Sequence, residues 1–197
     1  TDSGVHARGQ VISFSLDWKH STDKLVTALN AHLPEDIAVQ AAEEVPLAFH
    51  PRYDALSRTY RYQLYAQSTR DPLVDRFSWR LDTMPDLERM NRAAEALQGE
   101  HDFRAFGKAL KEDATTVRRI FAAEWAGSST EAAFTICGNA FLYHMVRRIV
   151  FVLEQIGLGR LPEEIVSKGL ESGETGIVSL APARGLCLME VAYPERD

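Results

Sequence analysis

This chain has few cysteines, no clustered histidines and no long apolar run, and each shortage closes off a class of protein. Its two cysteines, Cys137 and Cys187, stand far apart and outside any CxxC spacing. Neither a zinc site nor a disulfide framework is suggested, and a reducing cytoplasm is the compartment that fits. No apolar stretch approaches the roughly 20 residues that a bilayer requires, and no basic-then-apolar segment opens the sequence. Repeats and low-complexity linkers are missing as well. Basic side chains are outnumbered, 22 Lys and Arg against 28 Asp and Glu, for a net charge of −6. An acidic balance of this kind argues mildly against a polyanionic partner.

What remains is a chain of 197 residues, 45% hydrophobic and 25% charged, able to bury one substantial core or two small ones. Its arginines fall in groups: Arg52, Arg58 and Arg61; Arg104 with Lys108; Arg118 and Arg119; Arg147 and Arg148. Local placement matters more to a polyanion than net charge does, although solvated surface charge is the plainer reading of any one group.

The sequence opens TDSGVHARGQVISF. Small polar side chains bond their own backbone and Gly4 supplies a positive φ, which describes a rigid loop presenting Asp2. Val5, Val11, Ile12 and Phe14 predict a strand leaving that loop. An aspartate in such a turn is often a turn residue and nothing more. Asp2 and His6 lie four apart, a spacing suited to two metal ligands on a helix, but Gly4 and the β-branched Val5 oppose a helix here. No metal site is expected.

Ser21, Thr22 and Asp23 offer N-caps to Leu25, Val26 and Leu29, so 22–32 reads as a short helix stopped by Pro34. Residues 36–45 read as a strand, and the loop around Phe49 to Arg52 has neither periodicity. In RTYRYQLYA, alternation places Arg58, Tyr60, Tyr62 and Leu64 on one face of a strand and Thr59, Arg61, Gln63 and Tyr65 on the other. Leu87, Met90, Ala94 and Leu97 predict a helix between Pro85 and Gly99, followed by a loop GEHDFRAFGK. TTVRRIFAAEWA and EAAFTICGNA predict a hairpin. AFLYHMVRRIVFVLEQIGLG predicts the longest helix, with Leu142, Met145, Val146, Ile149, Val150, Leu153 and Ile156 as its stripe. His144 and Arg148 face away from that stripe, and Arg147 lies at its flank, able to deliver a guanidinium to a cleft. A short helix near 162–170, the loop APARG and a strand LCLMEVAY close the chain. The class is α+β, one globular unit with helices alternating irregularly with antiparallel strands.

The opening stretch resembles the catalytic motif of the TruA family of tRNA pseudouridine synthases. NAHLPEDIAV, FHPRYDALSRTYRY, GEHDFRAF, NAFLYHMVRRIV and APARGLCL resemble further blocks of that family, in its order. The resemblance implies a mixed, mostly antiparallel sheet with helices on one face, built from two ferredoxin-like halves. Residues 1–100 would be the remainder of the first half and 101–197 the second, with a strand and a helix of the family lying upstream of Thr1. It implies a homodimer acting on the anticodon stem-loop of tRNA with no cofactor, no metal and no membrane. By resemblance Asp2 matches the catalytic aspartate and Arg147 its arginine partner. Tyr60 matches the tyrosine that stacks on the target base, and Leu186 an apolar residue of the uracil pocket, with Val146 beside Arg147 as a further substrate contact. Ser3 replaces an alanine, and Phe151 stands where the family commonly has glycine.

The chemistry asks for the same groups. Making pseudouridine breaks the bond from N1 to C1′ and joins C5 to C1′, so nothing is oxidised or added. A carboxylate within reach of C1′ and C6 is needed, as nucleophile or base. A neighbouring arginine favours its ionised form and fixes its orientation. The uridine must leave the stack, and an aromatic face then holds it, contributing roughly 1 to 3 kcal/mol. Tyr60 suits that task, and a core tyrosine on a strand face is the competing reading. Arg8, Arg52 and Arg58 flank the expected site as candidate phosphate contacts. A non-catalytic tRNA-binding module would keep the fold without turnover. A nucleoside hydrolase would need a second acid such as Glu43, Glu44 or Asp54 and would release free uracil.

Overall fold

A computed structural model describes residues 1–111 and 114–195. The chain forms two compact units, one made of Thr1–Gln10 with the chain from Ala55 onward, the other of Val11–Asp54.

In chain order the elements are β1 (His6–Ala7), α1 (Thr22–Asn30), β2 (Ser57–Ala66), β3 (Trp79–Leu81), α2 (Leu87–Glu95), β4 (Gly99–Asp102), β5 (Val117–Gly127), β6 (Glu131–Gly138), α3 (Met145–Gly157), α4 (Ile165–Ser172), a 3-10 turn (Ala183–Gly185) and β7 (Leu186–Ala192). Only α1 belongs to the smaller unit. The architecture is α+β, with one open mixed sheet in the order β1-β7-β2-β6-β5-β4. Among the described residues no helix is long and apolar enough to cross a membrane.

The long strand β2 organises the sheet. Its antiparallel partner β6 runs along one edge, while the other edge is shared by antiparallel β7 at Ser57–Tyr62 and parallel β3 at Leu64–Ala66. The two-residue β1 joins β7 in parallel, His6 opposite Cys187 and Ala7 opposite Leu188. A β-bulge interrupts the β2–β7 ladder between Thr59 and Tyr60, the kind of irregularity that re-aims the next side chain.

The core follows from the predicted stripes. Tyr62, Leu64, Phe134 and Ile136 from the sheet pack with Met90, Ala94 and Leu97 around α2 and with Met145, Ile149, Val150 and Leu153 of α3. Each large apolar side chain buried this way contributes roughly 1.5 to 3 kcal/mol relative to exposure. The Asp86 carboxylate caps α2 by accepting from the amides of Glu88 and Arg89. Phe151 lies half-buried against Trp79, the two rings 6.5 Å apart and nearly parallel.

Several expectations are corrected. Residues 11–14 and 36–45 carry no strand, because apolar, β-branched composition gives a fit to a pleated surface and not a neighbour to pair with. In their unit Asn30 supplies the pairing instead, its amide donating to the Val39 carbonyl at 2.9 Å and accepting from the Val39 amide at 2.7 Å. Gly99–Asp102, expected in a loop, forms β4 by pairing with β5. The long helix begins at Met145, because the preceding His144 is left-handed. Tyr62 and Tyr65 need no correction, since their place on opposite faces of β2 suits packing residues: both are buried, and the Tyr65 hydroxyl donates to Asp75 at 3.2 Å.

Candidate active site

Asp2 begins a tight turn. The Val5 amide donates to the Asp2 carbonyl at 3.1 Å, and Gly4 holds φ 78°, the third-position geometry of a type II turn. A side chain at Gly4 would be strained by that φ and would meet the Ala183 Cβ at 3.3 Å. Beyond the turn, β1 docks on β7, and the amides of Arg8 and Gly9 both donate to the Leu188 carbonyl, at 2.8 and 3.2 Å. The carboxylate therefore stands at the head of a segment fixed to the sheet edge.

The start of α3 faces it. The Arg147 Nη1 lies 3.9 Å from Asp2 Oδ2, and the His144 Nε2 lies 3.6 Å from the same oxygen. Arg147 is aimed by a second bond, its Nε donating to the Ala181 carbonyl at 2.8 Å. With side-chain exposures of 26% for Asp2, 24% for His144 and 15% for Arg147, the group is partly screened from water yet open on one side. Such screening strengthens a charge pair relative to one on the open surface.

Tyr60 completes the cluster from β2. Its ring meets Phe141 edge to face, centroids 5.1 Å apart. Burial raises its phenol pKa most; the Arg58 guanidinium opposes that shift and the Asp2 carboxylate adds to it. The phenol thus senses the Asp2 charge and stays neutral through the physiological range. Two residues along β2 stands Tyr62, fully buried, its hydroxyl donating to the Pro182 carbonyl at 2.8 Å. A carboxylate braced by a guanidinium, beside a half-buried aromatic, can act as a nucleophile or base toward a nucleoside whose flat ring rests on that aromatic.

A sequence profile of the tRNA pseudouridine synthases matches residues 1–54 and 93–194. The chain is 41% identical over 200 residues to the tRNA pseudouridine synthase A of Syntrophotalea carbinolica, an alignment covering all of this chain and 79% of that protein. It is 41% identical over 197 residues to the same-named protein of a Geobacter species (strain M21), spanning 99% and 80% of the two chains. The corresponding protein of Moorella thermoacetica is 42% identical over 194 residues, spanning 98% and 79%. The chain belongs to the tRNA pseudouridine synthase family. It is an isomerase that turns uridine into pseudouridine in tRNA.

In this pseudouridine synthase the other expected residues are distributed as follows. Leu186 opens β7, 5% exposed and in register with Tyr62. Val146 is 4% exposed and packs into the core from α3. Arg8 follows β1, and its charge acts on Cys187, whose thiol pKa is raised chiefly by burial and lowered less by bonding to and the charge of Arg8. Arg58 is engaged with the backbone, its Nη1 donating to the carbonyls of Asn139 at 2.6 Å and Ala55 at 3.2 Å. Arg52 belongs to the smaller unit, its guanidinium 5.9 Å from the Tyr53 ring centre.

Two participants had no sequence signal of their own. His144 reads as one polar residue on a helix face, and only its left-handed backbone turns it to Asp2. Ala181 contributes through its carbonyl, which no side-chain pattern reports.

Proposed function

We propose that the synthase acts on uridines of the tRNA anticodon stem-loop, with Asp2 as the catalytic carboxylate and Arg147 as its ionic partner. The observation that carries this reading is the convergence of Asp2 and Arg147 beside Tyr60. Asp2 attacks the flipped uridine, or removes a ribose proton, to release uracil from C1′. After the freed ring turns, C5 joins C1′, the C5 proton leaves and N1 takes one up, so the atoms balance without an oxidant or co-substrate. Tyr60 supplies the face on which the unstacked base rests, and Leu186 and Val146 form the apolar side of the pocket.

Arg8, Arg52 and Arg58 would hold phosphates and position the arm by shape, without reading its sequence. The chain would serve as a single catalytic unit of two halves, 1–100 and 101–197, and work as a cytoplasmic homodimer. A dimer lets one subunit grip the body of the tRNA while the other engages the arm, and the molar mass in solution is read directly by light scattering.

The test is tritium release from tRNA labelled at uridine C5, comparing the parent protein with Asp2→Asn. Loss of release in the variant, with tRNA still bound, is expected. Undiminished release would remove Asp2 from the chemistry. Release confined to uridines outside the anticodon arm would refute the choice of target.

A further inference from the structure

We propose that His144 is a positioning residue for Asp2: its imidazole and the Arg147 guanidinium hold the same carboxylate oxygen, Oδ2, and leave Oδ1 to the substrate. The proposal rests on the reading of Asp2 as the catalytic carboxylate.

The first support is convergence. Nε2 of His144 and Nη1 of Arg147 lie 3.6 and 3.9 Å from Oδ2. Both distances exceed an ideal hydrogen bond, as is common for catalytic contacts before substrate binds and tightens them. A carboxylate steadied at one oxygen keeps its other oxygen in a defined direction, which is the geometric requirement for attack on a carbon.

The second is backbone strain. His144 holds φ 64° and ψ 3°, the one left-handed residue other than glycine among the described residues. That conformation is unfavourable for an L side chain, because it brings Cβ close to the following carbonyl oxygen. Helix capping does not offset the cost, because His144 occupies the N-cap of α3 without any side-chain capping bond. What the conformation achieves is to turn the ring off the helix axis and toward the Asp2 turn.

The third is a wall behind the ring. Tyr143 stacks on the imidazole, centroids 3.7 Å apart at an interplanar angle of 26°. Tyr143 is itself fixed through its backbone, its amide donating to the Lys108 carbonyl at 3.0 Å and its carbonyl accepting from the Lys108 amide at 3.3 Å.

Burial, more than the surrounding charges, favours the neutral imidazole. Burial lowers the His144 pKa most; Asp2 opposes that shift, and Arg147 and Arg148 add to it, for a net fall below the ordinary 6.5. A neutral ring donates from Nε2 without cancelling the carboxylate charge. Once protonated, it would form a full ion pair with Asp2 and withdraw the negative charge from the substrate. As pH falls through the lowered His144 pKa, the rate should therefore fall with it.

Single-turnover tritium release at saturating tRNA, followed over roughly pH 5 to 8 alongside tRNA Kd, tests this in the parent, Asp2→Asn, His144→Gly and His144→Asn proteins. Glycine relieves the strained backbone and removes the ring, so it keeps the fold. Asparagine tolerates the left-handed conformation and retains an amide donor. His144→Gly should slow release by about 10- to 100-fold with Kd changed by less than about twofold, and should abolish the acid-side fall. His144→Asn should recover a large part of the rate without restoring that fall. A parental rate and pH profile in His144→Gly would overturn the proposal, as would equal slowing in both variants with the parental pH profile retained. Release that survives Asp2→Asn would strike at the assignment of Asp2 instead, and it is scored independently of His144.

Discussion

Arg147 and Ala181 are bonded to each other twice: the arginine Nε donates to the Ala181 carbonyl at 2.8 Å, and the Ala181 amide donates to the Arg147 carbonyl at 3.1 Å. Ala181 is wholly buried, so the clasp is anchored in the core and aims the guanidinium at Asp2 before any substrate arrives.

Replacing Arg147 should therefore damage rate more than binding. Arg147→Lys keeps the charge but loses the planar fork that serves Ala181 and Asp2 together. A fall in kcat of roughly 10²- to 10³-fold is expected from loss of one preorganised electrostatic group, with a smaller change in KM. Steady-state tritium release gives both parameters, and an equal rise in KM with constant kcat would contradict the role.

Gly185→Ala should destabilise the fold. A Cβ there would stand 2.5 Å from Cζ of Tyr62 and 2.8 Å from its hydroxyl, and that ring is buried and bonded to Pro182. Forcing a methyl into such a contact costs typically about 1 to 3 kcal/mol. Urea unfolding would report it as a lowered midpoint with unchanged slope.

Tyr62 predicts alkaline sensitivity. Burial, partly offset by Arg147 and Arg184, raises its pKa far above the ordinary 10.0. Above pH 10 the unfolded chain releases this proton and the folded one retains it, so stability falls as pH rises, by at most about 1.4 kcal/mol per pH unit for one group. Tyr62→Phe should flatten that decline while costing about 1 kcal/mol at neutral pH through the lost bond to Pro182. Thermal unfolding as a function of pH shows both effects.

Glu154 gives the opposite opportunity. It is 3% exposed, and burial raises its carboxyl pKa against the bond from Gln155 and the charge of Arg160. A raised acid pKa means that stability present below the unfolded value of 4.5 is lost as pH climbs through the folded one. Glu154→Gln should raise the melting temperature at pH 7 and above and leave it nearly unchanged in acid. A lower melting temperature at pH 8 would show that the ionised form is the one the fold prefers.

Charge reversal separates the arginines. Arg52→Glu should weaken tRNA binding and reduce its salt slope by about one unit per lost phosphate contact. Arg58→Glu should also lower stability, because the Asn139 and Ala55 carbonyls lose their donor. Unchanged tRNA affinity at low salt in both variants would exclude them as phosphate contacts.

Elements with their own stop signals were legible in the sequence: α2 lies between Pro85 and Gly99, and the β5–β6 hairpin turns at the residues expected. The class and the pairing of Asp2 with Arg147 could be anticipated because the motifs carry them. What could not be read were features created by pairing or by one backbone torsion. Val11 to Phe14 has strand composition but joins no ladder, Gly99 to Asp102 lacks it and joins one, and α3 starts late because of His144. The site inherits that limit, since Ala181 acts by its carbonyl and His144 by its φ.

The pairing of His6 with Cys187 joins the segment after Asp2 to the last strand of the sheet. During synthesis the aspartate leaves the ribosome long before β7 exists, and domains generally gain their distant contacts last. The carboxylate then has no edge to dock on until β7 has emerged. In a copy interrupted before β7 the turn that carries Asp2 lacks the strand that fixes it, so the placement of that carboxylate coincides with completion of this edge of the sheet.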